Sequence, residues 1–127
     1  MKLLKILAII AVAFNINTTH ATTCNNGFLI TGANEHEYCV SDIAEMNWWS
    51  AYTWCEAQDR HLATIYEACP DWDGSTGNGK CTNSTSTTAG YNYWVSTANG
   101  STQAFRTYGF SSVSSSNRNS QYRALCY

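Results

Sequence analysis

The chain has 127 residues, six cysteines and one proline, with 13% aromatic and 13% charged residues, the latter about half the usual ~25%. That length carries one domain and excludes a multi-domain enzyme, while the aromatic content argues against disorder. A net charge of −2 and a pI near 5.8 leave no electrostatic footprint for a phosphate backbone, so no nucleic-acid partner is expected.

Lys2 and Lys5 accompany nine unbroken apolar residues at 6–14. That run is too short for a bilayer span of ~20 residues but normal for the apolar centre of a signal peptide. Thr19 and Ala21 supply small residues at −3 and −1 of a cleavage site. The expected organisation is a signal peptide at 1–21 and one domain at 22–127, with no membrane span after cleavage. The mature part keeps all six cysteines and sets Lys80 and four arginines against nine carboxylates, a net charge of −4. Export and disulfides support each other. The expected location is secreted, extracellular or cell-surface, or periplasmic in a bacterial source.

An N-terminal hairpin is expected over about 22–45, with a turn at Gly32 and Asn34 and a strand at 38–43. Asn47 caps a helix running to about Gln58, in which Trp48, Ala51, Tyr52 and Cys55 form one apolar stripe. Residues 62–64 read as extended. Thr64 and Glu67 fit a capping box for a second helix, which Pro70 ends. Residues 93–96, 104–110 and 122–126 read as strands joined by turn-rich segments. Two early helices and several late strands predict an α+β class.

Composition divides the mature chain at Asp73. All nine acidic residues lie at or before it. Residues 82–121 hold ten Ser, seven Thr and five Asn, a linker-like composition. Aromatics at 91, 93, 94, 105, 108 and 110 interrupt it and argue for a folded, loop-rich half.

Six cysteines allow fifteen pairings. Cys24 with Cys39 would close the hairpin, and Cys69 with Cys81 would close the loop at 69–81, limiting its unfolded freedom by roughly 3 kcal/mol. Cys55 with Cys126 would then tie helix to terminus. Zinc is the competing use of these cysteines, but no CxxC or HxxxH spacing occurs.

Several segments together resemble the C-type lectin-like domain. Trp48-Trp49-Ser50-Ala51-Tyr52-Thr53-Trp54-Cys55 followed by Leu62-Ala63-Thr64-Ile65 is similar to its first helix, helix cysteine and "LA-x-I" strand. Tyr93-Trp94-Val95-Ser96 sits at its central aromatic strand. Arg123-Ala124-Leu125-Cys126 resembles the closing strand, whose cysteine pairs with the helix cysteine, and Cys24 with Cys39 resembles the long form. The resemblance covers nearly all of 22–127. It implies a disulfide-stapled fold of two helices packed on short antiparallel strands, with long polar loops.

The departures bear on function. Calcium-dependent members hold sugar through E-P-N or Q-P-D and W-N-D tripeptides, and none occurs here. Calcium takes six to eight oxygens, and no carboxylate side chain follows Asp73. Cys69 and Cys81 also follow the second helix directly rather than sitting in the later long loop. The remaining metal candidates are Asp71 and Asp73, in a D-x-D-G-x-x-G-N stretch that also reads as a disulfide-clamped turn and lacks the distal Glu of an EF-hand. No metal and no other cofactor is expected.

No enzyme is expected either. Glu56 and Glu67 read as solvated or capping residues, and His61 follows Arg60 at a helix end, where a cation suits the macrodipole. Recognition remains. Tyr, Ser, Asn and Gly with occasional Arg make an adaptable binding alphabet. The ligand-binding candidates are Tyr91, Asn92, Tyr93, Asn99, Gln103, Arg106, Tyr108, Asn117, Arg118, Asn119, Gln121 and Tyr122. The competing reading buries Tyr93, Tyr108 and Tyr122 as strand aromatics and leaves Ser and Asn to solubilise loops.

The expected function is a lectin-like or adhesin-like module taking a glycan or protein ligand through residues 91–122, with oligomeric state left open. Its alternatives are a structural subunit of an extracellular assembly and, third, a small secreted hydrolase. The Ser/Asn/Tyr-rich end also resembles bacterial members of the family, including those diversified by retroelements that mutate adenines. Asn83-Ser84-Thr85 and Asn99-Gly100-Ser101 are N-glycosylation sequons, meaningful in a eukaryotic source.

Overall fold

The computed structural model describes residues 23–85 and 90–127. The expected signal peptide at 1–21 and the expected first domain residue, Thr22, lie outside the described residues. Nine elements follow in chain order: β1 (Gly27–Thr31), β2 (Glu37–Ser41), α1 (Trp48–Ala57), α2 (Ile65–Ala68), β3 (Gly77–Asn78), β4 (Asn92–Asn99), β5 (Gln103–Tyr108), β6 (Ser112–Asn117) and β7 (Arg123–Cys126).

The strands form one seven-stranded sheet in the order β1-β2-β7-β4-β5-β6-β3. The β4–β7 pair is parallel and the other five pairs are antiparallel. This corrects the expected architecture of two helices packed on short antiparallel strands. The sheet is the body of the molecule, it is mixed, and the helices hold only ten and four residues. The expectation weighted local helix signals, which are strong but short. It also missed that the N-terminal hairpin joins the late strands, through Cys39 opposite Cys126 and Val40 opposite Leu125.

Both helices begin where their caps place them. The Asn47 side chain accepts from the Ser50 amide at 2.9 Å, and Trp48, Ala51 and Cys55 form the buried stripe of α1. Thr64 Oγ1 accepts from the Glu67 amide while the Glu67 carboxylate accepts from the Thr64 amide, the reciprocal box that starts α2. Two residues beyond Ala68 comes Pro70, whose ring cannot continue a helix.

Period-two alternation puts the central strands in contact with two cores. Tyr93, Val95 and Leu125 pack with Tyr38, Val40, Ile65, Phe110 and Val113 on one face. Trp94, Ala104 and Ala124 pack with Met46, Trp48, Ala51 and Leu62 on the other. Two buried indoles are satisfied by carbonyls: Trp48 Nε1 donates to Val95 O at 2.8 Å, and Trp94 Nε1 donates to Met46 O at 2.9 Å.

The disulfides are Cys24–Cys39, Cys55–Cys126 and Cys69–Cys81. The first ties the segment before β1 to β2, the second ties α1 to β7, and the third closes the loop that follows α2. From that loop Trp72 meets Phe105 edge-on at 4.9 Å and so covers β5 on the Tyr93 face. Three disulfides fit an extracellular location. Among the described residues no helix is long and apolar enough to cross a membrane.

Candidate functional site

On the Trp94 face, α1 packs against β7 and β4, and the sheet beyond it stays open. Strand register fixes which residues look out there. Arg106 lies opposite Trp94 and Ser114, Ala104 opposite Ser116, and Tyr108 opposite Asn92 and Ser112. Directly opposed residues share a face. Of this set Asn92, Arg106, Ser112, Ser114 and Ser116 are half-buried and Tyr108 is exposed. The result is a polar floor of serines and one arginine, with a tyrosine at its end.

Arg106 is held in place from three directions. Its Nε donates to Ser116 Oγ at 2.8 Å, and its Nη1 donates to Asn92 Oδ1. Its guanidinium carbon lies 4.9 Å from the centre of the Tyr122 ring. Tyr122 meets Trp94 edge-on at 4.9 Å, and its hydroxyl lies 3.1 Å from Ser116 Oγ. The charge is therefore braced against the core through an aromatic pair. Nη2 makes no hydrogen bond among the described residues.

Next to this face lies an open cleft of about 300 Å³, lined by residues 90–92, residues 121–123 and Ala44. That volume is at the small end of ligand sites, ~300–1,000 Å³. Arg123 forms one wall, its guanidinium carbon 4.2 Å from the Tyr91 ring centre, with Nη1 donating to Ser41 O at 2.7 Å. Tyr91 is 47% exposed. Of the candidates drawn from the sequence, Tyr91, Asn92, Arg106, Tyr108, Gln121 and Tyr122 gather around the open face and this cleft.

The others do not join them. Asn99 lies opposite Gln103, and Gln103 opposite Asn117, at the far end of β4–β5–β6. Gln103 and Tyr108 are the two ends of β5, five steps apart, roughly 17 Å at strand rise. There Arg118 donates from Nε to Gln103 O and from Nη2 to Gly100 O, and its guanidinium carbon stands 4.3 Å from a Trp48 ring centre. It pins two turns to the start of α1, with Asn119 exposed beside it in the chain.

Tyr93 is a correction. It is fully buried in the core opposite the open face, and burial pushes its phenol up to about 12. The position alternates with Asn92 and Trp94, so it cannot share their face. Sequence reasoning missed Ser112, Ser114 and Ser116 as floor residues. It also passed over Trp49, 51% exposed at the start of α1.

The acidic loop serves itself. Asp71 Oδ2 accepts from Thr82 Oγ1 at 2.8 Å. Asp73 Oδ1 accepts from the Ser75 amide and hydroxyl, and Oδ2 from Lys80 Nζ. Those Ser75 bonds first, and Lys80 after them, hold the Asp73 carboxyl well below the usual carboxylate range. No group of three metal-ligating side chains occurs among the described residues. His61 Nε2 sits 2.9 Å from Glu67 Oε2, so it joins the capping box of α2, and the His36 ring stacks on Tyr127 at 3.7 Å. No protein-family model, curated protein or solved structure matches this chain.

Proposed function

We propose that the protein is a secreted recognition module that takes a glycan on the open β5–β6 face and its adjoining cleft, without calcium. The observation that carries this reading is Arg106, half-buried, braced by Asn92, Ser116 and Tyr122, and leaving Nη2 for a ligand. Sugars need what this face offers: aromatic surface at Tyr91 and Tyr108 for stacking, and fixed amides and hydroxyls for the ring oxygens. The order of the Cys55 helix, the segment at 62–65, the aromatic strand at 93–96 and the closing Cys126 supports a distant kinship with C-type lectin-like proteins. The test is a glycan and protein array read with and without EDTA. Retention of glycans that survives EDTA is expected, while retention lost in EDTA, or confined to proteins, overturns the reading.

One observation favours a structural subunit as the second reading. β3 pairs with β6 only at Ser112 and Val113, and past Val113 no outer strand covers β6 among the described residues. An uncharged, uncovered edge accepts another strand readily. Concentration-dependent growth of the scattering mass would favour this reading over glycan recognition.

A further inference from the structure

We propose that the glycan taken by this face and its adjoining cleft is anionic, its carboxylate or sulfate groups received by Arg106 on the face and Arg123 in the cleft; this rests on the glycan-binding reading above. After Asp73 the only charged side chains are Lys80, Arg106, Arg118 and Arg123. Among the described residues the ion pairs are Arg60–Glu37 and Lys80–Asp73, and the remaining close contact of this kind is His61 Nε2 with the Glu67 carboxylate. Lys80 is thus neutralised within its own loop, and the three arginines have no carboxylate partner.

One of these arginines lines the cleft and another stands behind it. Arg123, opposite Tyr93 in β7, lines it from the other side of the sheet. Arg106, on the open face, holds two of its lining residues, Asn92 and Tyr122. Each lies over a tyrosine that lines the cleft, Arg106 over Tyr122 at 4.9 Å and Arg123 over Tyr91 at 4.2 Å. Their hydrogen-bond acceptors are neutral: Asn92 Oδ1, Ser116 Oγ and Ser41 O. Asp42 and Glu45 flank the lining residue Ala44 in the chain, but both are exposed and neither pairs with an arginine. A guanidinium fixed on neutral acceptors keeps its full charge, and its fork matches the planar oxygens of a carboxylate or the oxygens of a sulfate. The ligand therefore supplies the negative charge that the sheet omits.

The whole protein is measured in EDTA against immobilised alginate, dextran sulfate and uncharged dextran. Binding to at least one of the two anionic polymers is expected to exceed binding to dextran about tenfold or more. The polymer that binds identifies carboxylate or sulfate as the recognised group. Raising NaCl from about 50 to about 500 mM weakens that binding severalfold, because both arginines are reached from solvent. R106Q lowers it about tenfold, R106K retains part of it, and R118Q, at the far end of the sheet, leaves it unchanged. If R106Q fails to fold, the polymer preference and salt dependence of the unaltered protein still decide. Equal binding to dextran and the anionic polymers, or none to all three alongside retention of a neutral glycan, overturns the charge proposal and leaves the glycan reading standing. Absence of every glycan from the array overturns both.

Discussion

The Asn83 side-chain amide donates to the Tyr38 hydroxyl at 3.1 Å and to Ala68 O at 2.8 Å, while its carbonyl accepts from the Asn34 amide at 2.8 Å. One side chain thereby joins the β1–β2 turn, the fully buried Tyr38 and the end of α2. Asn83 is itself only 3% exposed. Replacing it with Ala leaves the Ala68 carbonyl without its donor in the interior and the Asn34 amide without its acceptor, while the Tyr38 hydroxyl keeps Asn34 Nδ2 and Glu67 O. The expected loss is about 1–3 kcal/mol, the usual cost of one buried polar group left unsatisfied. Urea unfolding of Asn83→Ala measures it.

The same geometry separates the two sequons. The nitrogen that would carry a glycan at Asn83 is buried and spends its protons on Tyr38 and Ala68. Asn99 is exposed at the β4–β5 turn, followed by Gly100 at φ 76°. In a host that N-glycosylates exported chains, folded protein is expected to carry its glycan at Asn99 alone. Mass spectrometry of tryptic peptides, with Asn99→Gln as the control, checks this.

Burial of Tyr93 gives stability an alkaline limit. Its folded-state pKa, raised from 10.0 to about 12 by desolvation, lies above that of the unfolded chain. The neutral phenol thus stabilises the fold fully below pH 10, and that contribution is lost as pH rises toward 12. The amount is on the order of 2 kcal/mol, and Tyr38, also raised mainly by burial, acts in the same direction. Unfolding free energy measured from pH 8 upward is expected to fall less steeply in Tyr93→Phe than in the unaltered protein.

The disulfides differ in what they constrain. Cys55–Cys126 spans 71 residues and Cys69–Cys81 only 12. In the chain-entropy account these closures are worth roughly 4 and roughly 3 kcal/mol. Replacing Cys55 and Cys126 by Ala is expected to cost more than replacing Cys69 and Cys81. The latter pair also anchors the loop whose Trp72 covers Phe105. Its removal is expected to speed amide exchange locally at β3 and β5 before global stability falls, which exchange mass spectrometry resolves.

What the sequence disclosed was mostly local. Asn47 and the box of Thr64 with Glu67 act within one helical turn, so their residues suffice to read them. The stripe at 48, 51, 52 and 55 already leaves Trp49 outside it, a sign of exposure available from spacing alone. β6 lies at the other extreme. Its sequence, SVSSSN, has little strand preference of its own. Its strand exists because β5 pairs with it from Gln103 opposite Asn117 to Tyr108 opposite Ser112. Site residues followed the same division. Tyr, Asn and Arg types were visible as candidate chemistry, but whether a tyrosine faced the open side of the sheet or the core depended on parity along β4. Both faces of that strand are apolar at 93–95, so the pattern carried no preferred side.

The two ends of the sheet make the binding reading testable by position. Tyr108 is 49% exposed and stands opposite Asn92 at the cleft end, whereas Trp49 belongs to the Trp48–Arg118 end, its ring 6.0 Å from Trp48. An exposed aromatic that stacks on ligand contributes ~1–2 kcal/mol to binding, about tenfold in affinity. Tyr108→Ala is therefore expected to weaken glycan retention about tenfold with thermal stability little changed, while Trp49→Ala leaves retention unchanged. Both variants are compared in EDTA by biolayer interferometry on whichever glycan the array retains. The opposite pattern, loss with Trp49→Ala and none with Tyr108→Ala, would move the site to the turns at Asn99 and Asn117, where Arg118 rather than Arg106 is the nearest cation.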